Sequence, residues 1–151
     1  MMKRISLLTV LAVGMILLFT PRAPAQGTEA DAILGNWLTE EDKATVEVYK
    51  CGDRYCGKTI WLKEPKNEDG TDKLDTKNPD LAKRNRKIIG LNIVWDFIYA
   101  DNNRWVGGKI YDPDNGKTYS CKMRLEGDKL KVRGYIGVSL IGRTTVWRRK
   151  P

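Results

Sequence analysis

The chain has 151 residues, 41% hydrophobic and 30% charged, with a formal net charge of +8. That length suits one ordinary domain, and the balance is that of a globular chain rather than a disordered or fibrous one. Histidine is absent, which excludes Ser-His-Asp and Cys-His catalysis and His-based zinc sites.

Residues 1–25 read as a secretory signal peptide. Lys3 and Arg4 form the basic start, Ile5 to Phe19 the apolar run, and Ala23-Pro24-Ala25 the small-residue cleavage site. The run is shorter than the roughly 20 residues a spanning helix needs, so the mature chain is expected to carry no transmembrane segment. It begins at Gln26, with a linker over 26–32 and a single domain over 33–150, exported to the periplasm or secreted. No cysteine precedes Lys50 to accept a lipid anchor. Loss of Lys3, Arg4 and Arg22 leaves 24 basic against 19 acidic residues, a charge of +5. That suits an anionic surface or an envelope protein as partner and falls short of a dedicated nucleic-acid binder; no nucleic acid is expected.

From Ile33 onward apolar residues recur with period two between turn residues, the pattern of an antiparallel sheet. Gly35–Leu38 predicts the first strand, Thr45–Tyr49 the second, and Tyr55–Lys63 the third. Glu64–Lys87 is a long charged connection in which Asn78 is placed to cap a short helix running from Pro79 to about Arg84. Connections of this length are often lids or binding loops, and a solvated insertion fits as well. Leu91, Ile93, Trp95 and Phe97 fall on one face of the next strand. Asp101-Asn102-Asn103 turns into Trp105–Tyr111. Asp112-Pro113-Asp114-Asn115-Gly116 is dense turn chemistry; as a calcium loop it has its glycine one place early and Met123 where the bidentate Glu belongs. Tyr119, Cys121, Met123 and Leu125 then share a face, Leu130 and Val132 alternate with Lys129, Lys131 and Arg133, and Leu140–Arg149 closes the chain.

About eight strands joined by hairpins predict an all-β fold: a single antiparallel up-and-down β-barrel, since closure removes the exposed edges of an open sheet. A barrel of that size is either filled by side chains or holds one small ligand.

Cys51 and Cys56 are placed to form a disulfide across a turn centred on Asp53-Arg54. That register pairs Val46 with Trp61 and sends Ile60 and Leu62 outward unless a one-residue bulge intervenes. Cys121 lies on an apolar face and reads as core. Trp37 also reads as core, with Arg148 or Arg149 of the closing strand stacked on it. Trp61, Trp95, Trp105 and Tyr119 are candidates to line a ligand cavity, with Arg143 as a polar orienting group near one end. The Lys83-Arg84-Asn85-Arg86-Lys87 run could hold a phosphate or simply be solvated. Carboxylates are scattered among turns, so no acid–base pair, metal site, cofactor or enzymatic activity is expected.

Gly35-Asn36-Trp37 at the first strand, with arginines on the last, resembles the pattern that closes one end of lipocalin-type barrels. Four longer segments resemble the bacterial export family called domain of unknown function 2147: G-N-W-L at Gly35, Y-C-G-K-T-I-W-L at Tyr55, W-V-G-G-K-I-Y-D-P-D-N-G-K-T-Y at Trp105, and R-G-Y-I-G-V-S-L-I-G-R-T-T-V-W at Arg133. The N-P-D segment and the Gly90-Leu91 step fit the same family, and the likeness spans nearly all of the mature chain. It implies a lipocalin-like envelope protein, and it carries over no activity and no catalytic residue. The expectation is a non-enzymatic barrel for a small apolar or amphipathic ligand; the alternative is a filled barrel acting through its surface and the 64–87 loop.

Overall fold

The computed structural model describes residues 28–151, so the expected signal peptide over 1–25 lies outside the described residues. Eight strands follow in order: β1 (Gly35–Leu38), β2 (Ala44–Cys51), β3 (Arg54–Leu62), β4 (Asn92–Tyr99), β5 (Arg104–Asp112), β6 (Lys117–Glu126), β7 (Lys129–Tyr135) and β8 (Gly142–Lys150). Each pairs antiparallel with its sequence neighbour, and β1 pairs with β8, closing the barrel. No helix among the described residues is long and apolar enough to cross a membrane.

Strict alternation builds the wall of β6 and β7. Cys121, Met123, Leu130 and Val132 are buried, and Lys122, Arg124 and Lys131 are exposed. Elsewhere single extra residues shift the phase. Thr45 pairs with Trp61 but Val46 with Thr59, so β3 bulges at Ile60. Thr59 is buried, while Ile60 and Trp61 both stand on the outside. The anticipated bulge is present, and it ejects Trp61 rather than bringing Ile60 in. In β4 Asp96 takes φ 64°, and the strand slips against β3. Val94 and Phe97, three apart, are both buried, and Trp95 pairs with exposed Lys109. Trp95 therefore leaves the face expected for it with Leu91, Ile93 and Phe97.

The disulfide joins Cys51 and Cys56, with Cα atoms 5.9 Å apart. The turn is Gly52-Asp53 rather than Asp53-Arg54, because Cys51 pairs with Arg54 and Cys56 with Tyr49. The cysteines are thus diagonal neighbours on one face, which still brings their sulfurs together. Cys121 is a buried free thiol whose pKa burial pushes up to about 12.

One end of the barrel is plugged. Residues expected as linker form a 3-10 helix, Glu29–Ile33, which lies against the closed end. Trp37 is fully buried and donates its indole N–H to the Ile33 carbonyl at 2.8 Å; Trp105 donates to Ala30 at 3.1 Å. Of the two candidate arginines it is Arg149 that stacks on Trp37, 4.3 Å from the ring, and it also donates to the carbonyls of Leu34 and Ala32. Arg148, one residue out of phase, turns outward to Asp42. Gly35 takes φ 113°, which an L side chain rarely adopts, and lies against that guanidinium.

Candidate functional site

The up-and-down path gathers the β1–β2, β3–β4, β5–β6 and β7–β8 connections at the end opposite the plug. There the barrel is hollow. A cavity of about 1220 Å³ opens between those loops, more than enough for one small molecule. Its walls are mixed: Leu62, Ile93, Ile110, Tyr119, Val132 and Trp147 supply apolar and aromatic surface inside the barrel, Thr59 and Thr145 add hydroxyls, and polar and charged side chains of the loops make up much of the rest.

Glycine positions mark the boundary between filled and empty space. A Cβ on Gly57 would lie 2.6 Å from Val94, and one on Gly108 would lie 2.4 Å from the Phe97 ring. The interior is already occupied there. Gly134 is opposite Cys121 on β7 and lines the cavity; a Cβ there would sit 3.4 Å from Ile110, an ordinary contact.

The rim is charged. Arg143 pairs with Glu40 at 2.6 Å, Lys43 with Glu41 at 2.8 Å, and Lys73 with Glu64 at 3.5 Å. The hydrogen bond between Lys43 and Glu41 holds the ammonium pKa up and the carboxyl pKa down. Lys63 and Lys77 also border the mouth. Among the described residues no three Cys, Asp or Glu side chains converge to hold a metal ion.

The long 64–87 connection forms part of the mouth and is anchored rather than loose. Asp75 is fully buried and accepts from the hydroxyl of Tyr111, from Asn78 at 2.8 Å and from Arg86 at 2.9 Å. Burial alone would raise the Asp75 pKa, but these hydrogen bonds outweigh it and hold the carboxyl below its usual range. Asn78 is committed to this network; the short 3-10 turn Leu81–Lys83 is capped by Asp80 instead, whose carboxylate accepts from the Ala82 N–H. A Cβ on Gly116 would fall 1.9 Å from the Lys77 carbonyl, and its φ is 71°, so only glycine lets the β5–β6 turn carry the loop this closely.

Of the residues nominated from the sequence, Tyr119 and Arg143 border the cavity. Trp61 lies outside, 41% exposed beneath Lys150, and Trp95 packs half-buried away from the cavity. Trp105 points inward but at the plugged end, against Tyr55 and Tyr99. The tryptophan that does border the cavity is Trp147. Its signal was available in the alternation of β8, where Thr145, Trp147 and Arg149 share the phase opposite to Val146 and Arg148.

A closed eight-strand barrel, stoppered below by a tryptophan–arginine stack and hollow above, is a lipocalin-like barrel. Residues 35–149 match the family described as an uncharacterized protein conserved in bacteria, DUF2147, and the chain belongs to that family. A similar solved structure is protein HP1028 of Helicobacter pylori, described as belonging to the lipocalin family. It is 26% identical, with 78% of this chain and 82% of that chain covered and a TM-score of 0.68. No curated protein matches the chain.

Proposed function

We propose that this protein is a non-enzymatic carrier that takes the apolar tail of a small amphipathic molecule into the open end of its barrel, within the bacterial envelope. The observation that carries this reading is the cavity itself: apolar and aromatic below, charged above, and closed behind. Burying an acyl chain there gains about 25 cal/mol for each Å² of apolar surface removed from water, while Arg143, Lys63 and Lys77 offer donors to a polar or anionic head. A filled interior acting only through its outer surface would leave such a space without a purpose. The likeness to a lipocalin-family protein supports the same reading at the level of fold.

Gly134→Phe tests it. Gly134 lines the cavity and a Cβ there meets Ile110 and Tyr119 only at ordinary contact distance, so the ring should enter the cavity and the barrel should still melt cooperatively. Saturable binding of a fluorescent fatty-acid analogue by the wild type should weaken by at least about tenfold, since displacing even part of a buried chain forfeits 1.4 kcal/mol or so. Equal binding by both proteins would refute the assignment.

A further inference from the structure

We propose that the β7–β8 turn, together with the outer face of β6 and β7, is a docking surface for an anionic lipid bilayer. The turn between Tyr135 and Gly142 presents Ile136, Val138, Leu140 and Ile141, all 60–90% exposed. Four exposed aliphatics in one turn form a patch of the kind that marks an interaction site. The turn is also fixed. Lys122 donates to the Ser139 hydroxyl at 2.9 Å, and Arg133 donates to the carbonyls of Ser139 at 2.7 Å and Leu140 at 3.2 Å.

The surface beneath it is basic. The outward positions of β6 and β7 carry Lys122, Arg124, Lys129, Lys131 and Arg133, against Glu126. Lys122 sits directly across from Arg133, and Arg124 directly across from Lys131. Like charges in such pairs destabilise a sheet. Glu126 relieves the second pair, lying 2.7 Å from Lys131 and 3.6 Å from Arg124. A layer of anionic headgroups would relieve the first and let the aliphatics enter the acyl boundary, the two contributions that hold interfacial proteins on membranes. An acidic protein or a nucleic acid would engage the cations and leave the aliphatics in water.

Ile136 and Ile141 border the cavity, whereas Val138 and Leu140 lie beyond it. If the carrier reading holds, one turn therefore touches bilayer and binding site together and gives an amphipathic molecule a path between them.

The test is co-sedimentation of the purified protein with equimolar phosphatidylglycerol–phosphatidylethanolamine vesicles. Wild type should bind, and should bind far less to phosphatidylcholine vesicles or in about 1 M salt, where charge attraction is screened. Val138→Ser/Leu140→Ser, checked for an unchanged melt, should lose at least about tenfold in partitioning. Uptake of the fatty-acid analogue in solution, measured separately, should survive in that variant, so failure of docking and failure of the carrier reading are distinguishable. No binding by wild type, equal binding by the variant, or equal binding to phosphatidylcholine would each overturn the proposal, as would binding to soluble polyglutamate that the variant retains.

Discussion

Trp37→Ala should cost about 3–5 kcal/mol of unfolding free energy in urea, the range for deleting a buried tryptophan. The loss has three physical parts. The indole is fully buried at the stoppered end, its N–H holds the Ile33 carbonyl, and its ring carries the Arg149 guanidinium. Without the ring, Arg149 loses its stacking surface while still bound to Ala32 and Leu34, so the 3-10 stopper should loosen with the core. Trp37→Phe should fall between, keeping most of the bulk and losing the donor. A loss under about 1 kcal/mol for the alanine variant would mean that this end is not where the barrel is held together.

Acid should free the 64–87 connection before it unfolds the barrel. Asp75 is held below its usual pKa, and so are Asp69, Asp72 and Asp80 in the same segment, Asp72 to about 2 by Lys66 and Lys87. A carboxylate depressed in the folded state contributes stability that is complete above its unfolded pKa, about 3.9, and is lost as pH falls through the folded value. As pH falls below about 4 the anchors should therefore weaken progressively, with Asp72 the carboxylate held to about 2, visible as amide exchange or proteolysis confined to 64–87. Asp75→Ala should produce that release at neutral pH, costing about 1–3 kcal/mol by leaving the Tyr111 hydroxyl and Asn78 amide without their acceptor. Loop and barrel unfolding together at every pH would contradict the anchoring role.

Period-two alternation and turn chemistry were sufficient to read the closed barrel, its eight strands and the disulfide, because a sheet with one face inside imposes its phase on every residue. The same rule explains what was misplaced. Ile60 and Asp96 each add a step: the clash of phases in β3 announces the first but not which residue it ejects, nothing in the pattern announces the second, and the tryptophan beside each, Trp61 and Trp95, lies off the cavity. Trp105 kept the right phase and landed at the wrong end, since parity says which face a residue takes and nothing of its height in the barrel. Trp147 sits among arginines, and only the alternation of β8 marks it as inward. In the sequence Asp75 is one acid among many in a charged loop; its burial depends on Tyr111, a contact 36 residues away.

The most direct measurement is fluorescence quenching by a brominated fatty acid, because Trp147 alone of the five tryptophans borders the cavity. The carrier account predicts a saturable loss of emission in wild type that disappears in Trp147→Phe, a variant that keeps an aromatic wall and so still takes up the chain. Quenching that persists undiminished in Trp147→Phe, or that never saturates in wild type, would contradict it.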